Sequence, residues 1–372
     1  MAVYFAEEAQ LHTFLREAGP GKTYAAVRRE AGSEYALLGP DADDEPSLRE
    51  ARPGVSPKRF LMPPRERVAR YSTVGEAGAE APDESDEKEE QPEPTTLVGL
   101  RACDLAAAEY LDKVFLEGDF EDPFYKARRE NQIVISVDCT QVHEKCFCDV
   151  VGGRPFAMGG FDLNISPIAS GYVVWVGTER GQALIDAHAK LFREATQAEI
   201  DEVKQSREKT SEQLREQSKG LKLTEHLQEV LSRLEESDLW DKHAAQCVEC
   251  AACTNICPTC HCFYLYDRAA GEGKAGEFER IKTWDSCLTA DYSRMAGVGG
   301  TKPNPRATLR TRFANRFLHK YGFSPIQYGV LGCTGCGRCM EACFGGVDIR
   351  KVLDEIDKRE SETAAGGRET DA

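Results

Sequence analysis

The sequence predicts an α+β protein in which an N-terminal α/β domain is followed by a mostly helical domain. Three observations predict it. Short apolar runs alternate with helical patterns through the first half, a charged stretch from about Gln182 to Asp241 has helical periodicity, and two regular cysteine runs bracket the last third. The expected division is an α/β domain over 1–185 with an acidic insertion at 76–94, a helical connector over 186–243, a helical cysteine-rich domain over 244–358 and a disordered tail over 359–372.

From Met1 to about Tyr71 a helix-like start leads to alternating runs at Tyr24–Val27 and Tyr35–Leu38, punctuated by Gly39 and Pro40. Phe60, Leu61 and Met62 lie between Pro57 and the Pro63-Pro64 pair, which favours a packed loop. Residues 76–94 are rich in Glu, Asp and Pro and carry no large apolar side chain, so they cannot offset the entropy lost on folding. They read as a disordered spacer.

Order returns with an apolar strand, Thr96–Leu100, that delivers Cys103, and with a helical pattern over Leu105–Phe115. A second apolar strand, Ile133–Val137, delivers Cys139, and Cys146 and Cys148 follow at once. Cys103, Cys139, Cys146 and Cys148 are thus four thiols at two strand ends, the number a third [4Fe-4S] cluster needs. Their irregular spacing leaves zinc and plain buried thiols as alternatives.

Gly171 and Gly177 enclose another strand, Tyr172–Val176, but no glycine pattern here follows a dinucleotide fingerprint. In the charged stretch, Leu223, Leu227, Val230, Leu231 and Leu234 form one amphipathic stripe, and Trp240 is expected to be buried against the following domain.

The strongest signal is Cys247, Cys250, Cys253 and Cys257 followed by Pro258, with Cys333, Cys336, Cys339 and Cys343 repeating the same spacing. In this pattern three close thiolates wrap one iron–sulfur cubane and the fourth reaches a second cluster. The crossed rule assigns Cys247, Cys250, Cys253 and Cys343 to one [4Fe-4S] cluster and Cys333, Cys336, Cys339 and Cys257 to the other, making a ferredoxin-like domain with two clusters. Zinc would leave the third and fourth cysteines of each run without work.

Between the runs, Phe263, Tyr264 and Tyr266 are expected either to shield a cluster or to pack in the core. Cys260, Cys262 and Cys287 are surplus to the clusters. Arg306, Arg310, Arg312, Arg316, His319 and Lys320 read as a basic helix whose plain reading is a solvated face; the sharper readings are docking of an acidic partner and compensation of cluster charge. A terminal helix is expected to end near Lys358.

A formal net charge of -16 opposes attraction to nucleic acid. No apolar run reaches the roughly 18 residues of a membrane span. Fifteen cysteines without a basic-then-apolar leader point to a reducing, cytoplasmic compartment.

The chain resembles the iron–sulfur beta subunits of soluble sulfhydrogenases and their relatives, the iron–sulfur subunits of anaerobic sulfite reductases. The likeness rests on Pro57–Leu61, Arg101–Asp104, Asp122–Asn131, Cys139 with Cys146-Phe147-Cys148, Cys257–Cys260, Trp284–Cys287, Asn304–Arg306 and Gly332–Cys343. Ala102 and Phe344 stand where such sequences commonly have proline. The resemblance implies a non-catalytic electron-transfer subunit between a flavoprotein subunit that handles NAD(P)H or ferredoxin and a catalytic redox subunit of hydrogenase or sulfite-reductase type. Two other functions stay open: an enzyme subunit whose N-terminal cluster binds a sulfur substrate, and a redox-sensing iron–sulfur protein.

Overall fold

The computed structural model describes residues 2–30, 32–39, 44–72, 92–224, 227–271 and 276–366. Most of the acidic insertion expected at 76–94 therefore lies outside the described residues.

An eight-stranded mixed sheet forms the N-terminal half, in the order β3-β2-β5-β6-β7-β8-β1-β9. Its strands are β1 (Val3–Ala6), β2 (Lys22–Arg29), β3 (Gly32–Leu38), β5 (Thr95–Leu100), β6 (Gln132–Val137), β7 (Leu163–Ile168), β8 (Gly171–Val176) and β9 (Arg193–Glu194), while β4 (Arg65–Ser72) lies elsewhere. The run β2-β5-β6-β7 is parallel and the flanking pairs are antiparallel. Strands β6 and β7 are buried along their whole length, as expected of parallel strands covered on both faces. One face packs Phe14, Leu15, Ile135, Ile165 and Val174 into a core with α1 (Glu8–Glu17).

Helices α2 (Ala102–Phe115) and α3 (Pro123–Glu130) follow β5 and cross to β6. At α3 the Asp122 carboxylate accepts from the backbone N–H groups of Phe124 and Tyr125, and Pro123 opens the first turn, a strong start signal. The α2 turn starts on Arg101 at the end of β5, so Cys103 is held at the carboxyl edge of the sheet.

The segment expected to connect the domains is divided between them. After α4 (Glu179–Ala187), β9 joins the edge of the sheet, and α5 (Gln197–Gln217), started by a Thr196/Glu199 capping box, packs on β7 and β8. Helices α6 (Leu227–Arg233) and α7 (Leu239–Ala244) belong instead to a second core with Phe313, Phe317, Tyr321, Val352 and Ile356. Leu223 precedes α6 rather than lying on it, although Leu227, Val230 and Leu231 are buried as the stripe requires. Trp240 is fully buried, with its ring 5.6 Å from Phe317.

The C-terminal half contains short α8 (Ala252–Asn255), then α9 (Leu309–Phe317), a π-helical turn over Leu318–Phe323, α10 (Ser324–Tyr328), α11 (Arg338–Glu341) and α12 (Ile349–Gly366). Helix α12 continues past Lys358, so the segment expected as a disordered tail from 359 is helical to Gly366; Arg359 secures it through ion pairs with Asp238 and Glu355.

This half also holds a three-stranded antiparallel sheet, β10 (Phe263–Ala269), β11 (Glu277–Trp284) and the distant β4. Strand β4 pairs with β11 from Arg65↔Thr283 to Ser72↔Glu277, so the N-terminal chain completes a sheet of the C-terminal half. A buried ion pair, Arg338 with Asp104, and the Tyr110–Ser324 hydrogen bond of 3.0 Å join the halves further. Among the described residues no helix is long and apolar enough to cross a membrane.

Candidate metal centres

The two cysteine runs fold as one motif used twice. In the first, Glu249 and Ala251 have φ of 54° and 59°; in the second, Gly335 and Gly337 stand at the matching positions with φ of 64° and 75°. Each run then enters a short helix, α8 or α11. This left-handed backbone turns the N–H of residue 249 onto the Cys247 sulfur and that of residue 335 onto the Cys333 sulfur. At the other end of the second run, the Val347 N–H donates to Cys343 Sγ at 3.3 Å. Such bonds stabilise negative charge on sulfur.

Only the second run requires glycine. A Cβ on Gly335 would fall 2.5 Å from Cys148 Cα, and one on Gly337 would collide with the Lys145 carbonyl. The Phe147 N–H donates to the Gly335 carbonyl at 2.9 Å. The loop that carries Cys146 and Cys148 is thus seated directly on the second run, while Glu249 of the first run is exposed and Ala251 half-buried.

Three groups of thiols result. Cys247 lies within Coulombic reach of Cys253, Cys343 and Cys250, and Cys253 within reach of Cys343, Cys257 and Cys250. Cys339 lies within Coulombic reach of Cys257, Cys333 and Cys336, and Cys333 within reach of Cys257. In the N-terminal half, Cys139 lies within Coulombic reach of Cys146, Cys148 within reach of Cys139 and Cys146, and Cys103 within reach of Cys139. The groups adjoin one another: Cys103 lies within Coulombic reach of Cys336, Cys146 Sγ lies 3.7 Å from the Cys336 carbonyl oxygen, and Cys253 lies within Coulombic reach of Cys257. Cys250 is exposed.

Among the described residues, no three His, Cys, Asp or Glu side chains are placed to hold a single metal ion. A cubane makes a different demand, because each of its thiolates binds a separate iron and the ligands stand farther apart.

The surroundings suit a polyanionic guest. Lys58, Arg316 and Lys320 are buried, and the acids beside them are thiols. Burial works against the charge on Lys320, yet the Cys257 and Cys260 thiols hold its pKa above the ordinary lysine value; Arg316 is held up against burial by Cys253, Cys260, Cys339 and Cys257. Lys320 Nζ reaches Cys257 Sγ at 3.5 Å, Thr259 Oγ1 at 2.9 Å and the Gly332 carbonyl at 2.7 Å. Lys58, whose pKa burial lowers, donates to the carbonyls of Thr254 and Cys260.

The cavity lined by Cys257, Cys333, Cys336 and Cys339 is also lined by Tyr321, whose hydroxyl bonds to the Cys333 thiol, and by Thr334, whose Oγ1 is buried without a hydrogen-bond partner. Beside the N-terminal thiols, Arg101 Nε and the Tyr35 hydroxyl are in the same condition. Donors left unpaired in a protein interior cost free energy, and sulfides and thiolates would accept from them. On these grounds the residues present fit iron–sulfur clusters. Burial meanwhile pushes the Cys139 thiol up to about 12 and Cys103 and Cys148 well above their ordinary value, so without iron they stay protonated.

Several expectations change. The basic helix does not present a solvated face: Arg312, Arg316 and Lys320 are buried, and Arg310 pairs with Asp241. The π-turn accounts for Lys320 pointing inward, a departure that residue spacing does not disclose. Phe263 and Tyr264 lie exposed on edge strand β10, so they neither shield a cluster nor pack in the core. Sequence reading missed Tyr321 and gave Lys58 and Arg101, which lie in segments that carry the family resemblance, no role of their own; nothing local signals the burial of Lys58.

Residues 246–347 match the family described as a 4Fe-4S dicluster domain. Over 338 residues the chain is 31% identical to the sulfhydrogenase 2 subunit beta of Pyrococcus furiosus, covering 90% of this chain and 92% of that protein. No solved structure matches the chain. An alignment of this extent, with both cysteine runs inside the dicluster match, shows that the chain belongs to the family of iron–sulfur sulfhydrogenase beta subunits.

Proposed function

We propose that this chain is the electron-relay subunit of an oxidoreductase complex. Cys247, Cys250, Cys253 and Cys343 would hold one [4Fe-4S] cluster, Cys333, Cys336, Cys339 and Cys257 a second, and Cys103, Cys139, Cys146 and Cys148 a third. Each such cluster supplies one-electron transfer when bound. The observation that carries the reading is the adjacency of the three thiol groups: Cys103 lies within Coulombic reach of Cys336 and Cys253 within reach of Cys257, while Cys250 of the first group is exposed.

The protein's own residues set the line. N–H groups at 249, 335 and 347 hold the sulfurs, and Lys58, Arg316 and Lys320 offset negative charge in the interior. The partners would be a catalytic redox subunit together with a flavoprotein subunit, since this chain carries no dinucleotide fingerprint. The test is anaerobic reductive titration followed by mixing with a flavoprotein acceptor. A relay takes up electrons in one-electron steps and passes them on without consuming a substrate; an oxidised chain that cannot be reduced ends the proposal.

One feature favours a second reading, in which a sulfur compound binds at the N-terminal centre. A cavity of about 290 Å³ is lined by Cys103, Cys148 and Cys333 together with Glu109, Tyr110 and Arg154. Polysulfide added to the isolated chain would change its visible spectrum under that reading and leave it unchanged for a pure relay.

A further inference from the structure

Cys260, Cys262 and Cys287 are not needed for the three centres, and the structure separates them. Cys260 turns toward the second centre: its thiol hydrogen-bonds with Cys257 and takes Arg316 Nη1 at 3.6 Å. Cys262 and Cys287 turn toward each other and share a hydrogen bond, while the Tyr292 hydroxyl bonds to Cys262.

Their place in the fold explains the meeting. Cys262 directly precedes β10 and Cys287 follows β11, so both stand at the open end of one hairpin. The ladder runs to Phe263↔Trp284 and is extended by the Asp285 N–H donating to the Cys262 carbonyl at 3.0 Å. Cys287 is buried and Cys262 half-buried. Hydrogen bonds from the Cys287 thiol and the Tyr292 hydroxyl favour the thiolate form of Cys262 and hold its pKa below the ordinary thiol value. Cys287 also lies within Coulombic reach of Cys260, so the pair adjoins the second centre through one intervening thiol.

We propose that Cys262 and Cys287 form a redox-active dithiol/disulfide couple, a two-electron store set beside the one-electron relay. This rests on the cluster reading for its electron acceptors. In oxidation an S–S bond forms between the two sulfurs as two S–H bonds are lost. Two electrons pass singly to two one-electron [4Fe-4S] acceptors, and two protons leave toward the half-buried side where Tyr292 and Asp285 lie. Reduction reverses each change. A pair of this kind converts between the one-electron steps of a relay and the two-electron steps of flavin or sulfur chemistry.

The experiment uses the full chain, purified anaerobically. Samples poised with dithionite or with a mild oxidant are quenched in acid with an alkylating reagent, digested and mapped by mass spectrometry, with iron measured on the same samples. The expected result is a Cys262–Cys287 cystine in the oxidised sample, both cysteines alkylated in the reduced one, and equal iron in the two. The Cys262→Ser and Cys287→Ser variants should keep the iron of the parent and take up two fewer reducing equivalents per chain. Alkylation of both cysteines at every potential, random pairing with other cysteines, or loss of iron in the two variants would overturn the couple. An iron-free parent would overturn the cluster reading instead, while the cystine mapping still decides the pair.

Discussion

Arg338 and Asp104 form an ion pair with both side chains fully buried, Nη1 lying 2.5 Å from Oδ1, and each residue adjoins a cysteine of a different centre. Asp104 follows Cys103 at the start of α2, and Arg338 stands between Cys336 and Cys339. Arg338 Nε also donates to the Pro53 carbonyl at 2.9 Å, so the guanidinium ties two segments, at Asp104 and at Pro53, to its own. The chain thereby fixes the N-terminal thiols against the second run.

Removing one member of this pair strands the other charge in the interior. Asp104→Asn or Arg338→Met should each cost about 3–5 kcal/mol. The double change should recover part of that loss. Anaerobic urea denaturation of the four proteins measures it; additive losses would mean that the pair is not coupled.

Gly335→Ala should reduce occupancy of the N-terminal centre more than that of the other two, because a methyl group would meet Cys148 and Phe147. The left-handed backbone adds at least about 1 kcal/mol to the cost. Ala251→Gly at the equivalent turn should be tolerated. Iron and electron paramagnetic resonance signals, compared across the two variants, give the answer.

Lys320→Met should lower the potential of the second centre, since a cation beside Cys257 favours the more negative, reduced state. A fall on the order of 60 mV corresponds to a factor of ten in a one-electron equilibrium. Lys219→Met, at an exposed lysine, is the control and should shift nothing. Redox titration monitored by resonance spectroscopy compares them.

The half-buried rings of His261 and His319, with centroids 5.5 Å apart, supply a pH dependence. Burial chiefly lowers both to about 4, with the Lys320 charge adding to it. A histidine whose folded pKa lies below its ordinary 6.5 binds protons more readily when unfolded. Stability from these rings is therefore complete above about pH 6.5 and falls as the pH drops toward 4, by up to about 3 kcal/mol each. The thermal midpoint for loss of cluster absorbance should drop between pH 7 and 5, and less so in His319→Leu.

Much of the candidate site could be proposed from the residues alone because ligand spacing is a covalent property. The turn geometry at Cys247 and Cys333 is local, and the apolar runs at Thr96–Leu100 and Ile133–Val137 are single strands whose ends carry cysteines. What stayed hidden depends on distant pairing. Strand β4 is highly charged, and its fit to β11 appears only when Arg67 meets Glu279 and Arg70 meets Glu277. Arg316 and Lys320 read as solvated because their compensating charges, the thiols of Cys253, Cys257 and Cys260, lie far away in sequence. Phe263 and Tyr264 read as shields or core from composition, whereas an edge strand leaves them in water.

Crossed ligation by two distant runs is the claim on which the relay depends, and iron counting with resonance spectroscopy on Cys257→Ser and Cys343→Ser tests it most directly. The parent should hold about twelve irons per chain as three [4Fe-4S] clusters, Cys257→Ser should alter the signal of the centre held by the second run, and Cys343→Ser that of the first. Fewer than about eight irons in the parent, or each substitution altering the centre of its own run, would contradict it.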